Sequence, residues 1–306
     1  MSAHSHAPHG VTATGKHRQA LMLVVIITLS VVVVQVIGAV LSGSLSLLAD
    51  AGHMLSDAAG VFIALLASWI AARPATVRST YGYQRAEVLA ALANAILLAV
   101  IAVVITIEAV RRLGEPAAVR TDVMLIAAAL GGAANLVCLF ILHGGHRESL
   151  NLRGAYLEVL GDLLGSIAVI AAALVIAVTG FTQADAIASI LIALMIVPRA
   201  WSLLRDVINV LLESAPKGVD PDMIREHILK VRGVVEVHDI HAWTITSGVP
   251  VFSAHVVVDS ESLNAEGVDR MLDRLTHCLS NHFDTEHCTF QIEPLEHAAH
   301  ESRQHA

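Results

Sequence analysis

Six stretches of this chain are each apolar for roughly 20 residues or more, the length an α-helix needs to cross the hydrocarbon of a bilayer. They fall at about 20–41, 46–72, 87–110, 121–142, 150–179 and 183–204, and Gly, Pro or Arg punctuates the gaps, as in Arg73-Pro74 and Gly114-Glu115-Pro116. Charge content agrees: 15% of the 306 residues are charged and 55% are hydrophobic, where a soluble protein carries about 25% charged residues. Much of the chain must therefore see lipid. The expected fold is a multi-pass α-helical membrane protein, with six transmembrane helices over residues 19–207.

An even number of spans leaves both termini on one side. Arg73, Arg78 and Arg85 between spans two and three, Arg147 and Arg153 at the next inner loop, and Lys16, Arg18, Arg205 and Lys217 fall on that side. The other side holds Arg111, Arg112 and Arg120, partly offset by Glu115 and Asp122. The excess of positive charge places both termini in the cytoplasm. The apolar run that follows polar residues 1–19 is far longer than a signal-peptide h-region and closes on no small-residue cleavage site.

From about residue 208 the texture changes. Residues 221–232 have helical periodicity after Asp220-Pro221, and Val234–Thr246 and Val251–Val258 read as strands around a Ser247-Gly248 turn. A second helix is expected over 263–283 and a last strand over Cys288–Glu293. The order αββαβ predicts a C-terminal cytoplasmic α+β ferredoxin-like domain over 208–295, its helices on one face of the sheet. Residues 1–18 and 296–306 remain as two histidine-bearing tails.

The spans carry charge where lipid disfavours it. In span two, His53 and Asp57 are spaced i, i+4; in span five, Glu158 and Asp162 repeat that spacing. Each pair lies on one helical face, a turn apart. Two helices that each offer two ligands can close a four-coordinate shell of nitrogen and oxygen, as tetrahedral zinc requires. A charge at the helix centre costs on the order of 2.5–3.5 kcal/mol on the insertion scale, so these groups need a cation, water or protons as compensation. Gly161 and Gly165 flank the carboxylates and Gly60 lies beyond His53, small residues that let helices approach closely. Asp50 either lines the pathway or bonds locally. Asn94 and Asn135 read as interhelical hydrogen-bonding residues.

These motifs resemble those of the cation diffusion facilitators. The resemblance rests on His53-xxx-Asp57, on the Glu158/Asp162 pair within Asn151-Leu-Arg-Gly-Ala-Tyr-Leu-Glu158-Val-Leu-Gly-Asp162, and on Tyr81-Gly-Tyr-Gln-Arg85-Ala-Glu87 entering span three. It runs from about residue 17 to 294. It implies a homodimeric metal/proton antiporter of the inner cell membrane, with His53, Asp57, Glu158 and Asp162 as the transport site. Many zinc-selective members have His where this chain has Glu158; the branch of bacterial cobalt–zinc–cadmium resistance exporters has Glu. One imidazole and three carboxylates make a harder, more anionic site than two of each, so zinc is expected as substrate with cobalt and cadmium beside it. The family's second site, in the loop between spans two and three, is expected to be missing, since residues 73–84 contain neither His nor Asp. Arg85 matches a basic residue that in the family interlocks with an acidic one after span six, here Glu213, bracing the dimer.

The resemblance also points to His238, His255 and Glu293 as ligands of a regulatory metal between the soluble domains of a dimer. At the remaining ligand position this chain has Gln291, a poor zinc ligand, and His287 or His241 is the substitute. His4, His6, His9 and His17, with the C-terminal histidines, read as a loose metal buffer.

Other classes fit less well. Residues 10–16 approach a phosphate-binding loop, but His17 replaces its Ser or Thr and no strand precedes it, so no nucleotide is expected. The net charge of -8 does not suggest nucleic acid. Cys138, Cys278 and Cys288 form no CxxC pair, which suits reduced surroundings. An intramembrane metallohydrolase would want HExxH and an open coordination position. A metal sensor that binds without transporting is the alternative that stays in view.

Overall fold

In the computed structural model the described residues are 18–143, 150–246, 248–279 and 287–298. The phosphate-loop-like stretch 10–16, Arg147, Ser247, the histidines of the N-terminal tail, His300 and His305 lie outside them, as does the side chain of His297. Six long helices come first: α1 (Arg18–Ser42), α2 (Leu45–Ala71), α3 (Ala86–Gly114), α4 (Thr121–His143), α5 (Leu150–Thr179) and α6 (Gln183–Leu211). All six are long and apolar enough to cross a membrane, and the chain is a multi-pass membrane protein. Two helices outrun their apolar stretches, α3 to Gly114 and α6 to Leu211. The arginines that end the apolar runs are good helix formers, so the helices continue where hydropathy stops.

By packing, the described residues fall into two compact units, within Met1–Ile63 with Ala93–Ser202 and within Ala64–Leu92 with Leu203–Ala306. In the first, α4 packs along α5 and α1 along α4. Leu47, Leu98, Met124, Val169 and Ile196 build one buried cluster, while Ile107, Phe140 and Val178 point outward. Ala49, Ala102, Ala128, Ala173 and Ala193 fill the same cluster between them, and small residues inside an apolar exterior let membrane helices approach closely.

The turn between α1 and α2 is fastened from the side. Gly43 ends α1 at φ 69°, a left-handed conformation that suits glycine. Asp185, in the first turn of α6, then accepts from Ser44 Oγ at 2.6 Å, Leu45 N at 2.7 Å, Ser46 N at 3.1 Å and Ser46 Oγ at 2.6 Å. A carboxylate from another helix thus caps the start of α2, satisfying amides that have no partner inside the helix. Arg112 donates to the Gly43 carbonyl at 2.8 Å.

The second unit holds α7 (Pro221–Leu229), β1 (Val234–Thr244), β2 (Pro250–Val258), α8 (Ser260–Leu279), β3 (Cys288–Pro294) and a final turn α9 (Leu295–Ala298). The sheet order is β1-β2-β3, with β1/β2 antiparallel and β2/β3 parallel, so α8 is the crossover that a parallel pair needs. Phe252, Ala254, Val256 and Val258 alternate along β2 and share a core with Ile224 and Ile228 of α7 and Met271, Leu275 and Leu279 of α8. The αββαβ domain expected from the sequence is present, with both helices on one face. Asp220 starts α7 by accepting from Asp222 N at 3.0 Å, ahead of Pro221. The second helix is not the single run expected over 263–283. It begins at Ser260 and breaks at Gly267, where φ is 80° and ψ 163°, while residues 280–283 lie outside the described ones.

Candidate metal centre

His53 and Asp57 sit together on α2 because i, i+4 residues stack along a helix, and Asp162 meets them from α5. His53 Nε2 lies 3.7 Å from Asp57 Oδ2 and 3.9 Å from Asp162 Oδ1. One ligand atom from each of the three residues falls within 4.8 Å of the others. Asp162 is 4% exposed. His53 Nδ1, Asp57 Oδ1 and Asp162 Oδ1 are buried without a hydrogen-bond partner among the described residues. Buried lone pairs left unmatched are costly, and a cation is the partner that one nitrogen and two carboxylates suit.

Glu158 stands beside this trio and is not part of it. Its Oε1 accepts from Arg199 Nη2 at 2.7 Å, while Arg199 Nη1 donates to Asp57 Oδ2 at 3.0 Å. One guanidinium of α6 thus bridges carboxylates of α2 and α5. Nothing in the spacing of the sequence pairs Arg199 with residues so distant. One signal was available, namely a full charge inside the sixth apolar run, which is functional by default.

Asp50, 1% exposed, bonds across to two other helices and lines the cavity beside the centre. Its Oδ2 accepts from Gln35 Nε2 at 2.7 Å and from Ser166 Oγ at 3.2 Å. Together with His53, Glu158 and Arg199 it lines a cavity of about 170 Å³, room for several waters. Glycine is required beside it: a Cβ on Gly165 would collide with Asp50 Oδ1. Gly165→Ala is therefore expected to push α5 and Asp50 apart and to cut metal binding at least about tenfold, as loss of an outer-shell contact does; isothermal titration of the purified protein checks this. Asn94 accepts from Ser56 Oγ at 3.4 Å, joining α3 to α2 as expected. Asn135 is buried and makes no side-chain hydrogen bond among the described residues.

In the second unit, His238 lies opposite His255 in the β1/β2 ladder, and a register shift follows it before His241, with Asp239 at φ 51° between them. The alternation that sends Val256 and Ile292 toward the helices sends His255 and Glu293 to the other face. There Glu293 gathers both rings, with Oε2 3.1 Å from His238 Nε2 and Oε1 2.8 Å from His255 Nδ1. Three ligand atoms lie within 4.8 Å of one another, all from one chain. Gln291 donates to Glu293 Oε1 at 2.8 Å and supplies no ligand. His287 is not in the cluster, contrary to its expected role as the substitute. Standing just ahead of β3, it packs edge-on against Tyr81 at 6.3 Å between ring centroids. His241 is also apart, 3.7 Å from Asp239. Arg85 and Glu213 form the expected ion pair at 2.9 Å, both about half exposed, and Thr246 donates to Glu87 at 3.1 Å.

Six spans around a buried, anionic, histidine-bearing centre define a cation-handling membrane protein. The family model described as the cation efflux transmembrane domain matches residues 21–212, and that of the cation efflux protein cytoplasmic domain matches 216–295. The chain belongs to the cation efflux family, and is accordingly a transporter rather than an enzyme. It is 41% identical over 287 residues to the metal cation efflux system protein CzcD of Cupriavidus metallidurans, covering 94% of this chain and 90% of that one. The zinc transporter ZitB of Escherichia coli is 42% identical over 293 residues, 95% of this chain and 92% of its own. A cadmium, cobalt and zinc/H(+)-K(+) antiporter of Bacillus subtilis is 36% identical over 285 residues, 92% and 91% of the two chains.

Proposed function

We propose that this chain exports divalent metal ions, zinc foremost with cobalt and cadmium as further substrates, in exchange for protons. The observation that carries the reading is the meeting of His53, Asp57 and Asp162 from two spans, with three ligand atoms within 4.8 Å. Glu158 is the fourth ligand in this reading, a turn from Asp162 on the same face of α5. The names of two of the relatives, the zinc transporter and the cadmium, cobalt and zinc antiporter, support the choice of ions. Metal binds deprotonated ligands and imidazole titrates near neutrality, so protons arriving from outside compete for the same groups and expel the ion. Alternating access completes the cycle, with the α2/α5 pair facing the cytoplasm and the exterior in turn.

The remaining assignments follow from that role. Residues 19–207 form the transport domain in the inner membrane and 208–295 a regulatory domain, with histidine-bearing tails at 1–18 and 296–306 and both termini cytoplasmic. Two copies assemble, with the Arg85–Glu213 pair bracing each. His238, His255 and Glu293 hold a regulatory zinc; two imidazoles and a buried carboxylate fit that ion. Proteoliposomes assayed side by side with zinc, cobalt, cadmium and manganese under an imposed pH gradient test the function. Zinc flux that rises with the proton gradient supports it, whereas binding without flux makes the protein a sensor.

The regulatory site has its own test, in a protein whose transport site is disabled by Asp162→Ala. Zinc at about 100 times its dissociation constant should stabilise that protein by about 2.7 kcal/mol, and His255→Ala should remove the shift. A shift that survives His255→Ala would move the soluble site elsewhere.

A further inference from the structure

Arg199 stands in the sixth span with 46% of its side chain exposed, and its two terminal nitrogens hold Asp57 Oδ2 at 3.0 Å and Glu158 Oε1 at 2.7 Å. We propose that Arg199 is the built-in counter-cation of the metal centre, competing with a bound divalent ion for Glu158 and Asp57 and so keeping that ion exchangeable. The proposal rests on the reading of His53, Asp57, Glu158 and Asp162 as the transport ligands.

Three observations carry it. The first is charge. Asp57, Glu158 and Asp162 are the three carboxylates of the ligand set; a dication leaves one of their negative charges over, Asp50 adds a further carboxylate held by Gln35 and Ser166, and the one guanidinium offsets part of that excess. A centre with an uncompensated carboxylate would hold a dication more tightly, because like and unlike charges act strongly where water is scarce. The second is geometry. His53, Asp57 and Asp162 already offer atoms within 4.8 Å of one another, whereas Glu158 is turned to Arg199. An ion that recruits Glu158 must draw Oε1 away from Nη2, and it meets Asp57 with one oxygen already engaged. The third is access. Glu158, Arg199 and His53 line the same cavity of about 170 Å³, which gives the guanidinium water to move into. The Arg199–Glu158 contact is 46% and 38% exposed on its two sides and the Arg199–Asp57 contact 46% and 13%, so the hold on Glu158 gives way at a lower cost than a fully buried bridge would.

Zinc titration by calorimetry and zinc flux in proteoliposomes, both on the full chain carrying His255→Ala so that the soluble-domain cluster does not contribute, separate this role from that of a bracket that merely braces three helices. Arg199→Gln is expected to bind zinc roughly tenfold more tightly, about 1.4 kcal/mol, to lower KM in step, and to lower maximal flux several-fold because release slows. Arg199→Lys keeps a point charge and loses the fork, and should bind zinc more tightly than wild type but less than Arg199→Gln. In a Glu158→Gln background the gain from Arg199→Gln should shrink by more than half, since the shared partner is gone. Wild-type affinity in Arg199→Gln, or weaker zinc binding, overturns the proposal. If Arg199→Gln does not fold, Arg199→Lys decides by the same sign. Asp162→Ala separates the two levels: zinc binding lost there with wild-type behaviour in Arg199→Gln defeats the counter-cation alone. Zinc binding retained in Asp162→Ala defeats the ligand assignment, and the counter-cation with it.

Discussion

Asp162→Ala is expected to bring zinc flux in proteoliposomes down to background and to weaken zinc binding at the membrane centre, read in a His255→Ala background, by at least about 100-fold, more than the 10- to 100-fold that loss of an outer-shell partner costs. The carboxylate is 4% exposed and is the one group of the close trio that α5 supplies. Without it the remaining pair belongs to α2 alone, and nothing in the trio ties an ion to both helices. Stability should not fall with activity. Four carboxylates, Asp50, Asp57, Glu158 and Asp162, crowd around one arginine here, and removing one negative charge relieves repulsion, a usual exchange of function for stability at functional sites. Asp206→Ala is the control, since that carboxylate is exposed and paired with Lys217 at 2.7 Å; its flux should stay within about twofold of wild type, as surface changes do little. Wild-type zinc flux in Asp162→Ala would place the pathway elsewhere.

Asp185→Ala is expected to cause the largest loss of stability, about 3–5 kcal/mol, the usual result of removing one side of a buried charged contact. Four donors of the α1–α2 turn, two amides and two hydroxyls, converge on this one side chain. Alanine leaves all four without their acceptor, while Asp185→Asn keeps one acceptor oxygen and should lose less. In a helical unit of this size the alanine variant should lower the unfolding temperature by roughly 10 °C, read by tryptophan fluorescence on heating in detergent. Zinc flux of the protein still folded at low temperature should persist, which sets this carboxylate apart from Asp162. An unchanged unfolding temperature would show that the turn holds without its cap.

Much of this was legible in the sequence. Six apolar runs gave six helices because length and hydropathy decide whether a segment can span a bilayer. The pairs His53/Asp57 and Glu158/Asp162 were legible because spacing along a helix fixes which residues share a face. Asp185 and Arg199 were not singled out, for opposite reasons. Asp185 looks like any carboxylate in the first turn of a helix; only the fold brings the start of α2 against it. Arg199 takes its meaning from two partners on other helices, and no local pattern records that. His287 failed for a related reason, since a residue just ahead of a strand is aimed by the loop that delivers it, here toward Tyr81. The break at Gly267 was hidden because the apolar periodicity continues through it.

The helices α2 and α6 are joined twice, by Asp185 to the turn at Ser44–Ser46 and by Arg199 to Asp57. Along α6 the two joints are roughly 20 Å apart at 1.5 Å per residue, and Pro198 lies just before the second, where a backbone hydrogen bond is missing. The joints are unequal. One is a buried carboxylate with every oxygen engaged; the other is an ion pair whose arginine is 46% exposed and borders the cavity, within reach of screening ions. Helices fastened in this way part like scissors, opening from the Arg199 end about a rivet at Asp185, and high ionic strength should loosen the blades while leaving the rivet closed.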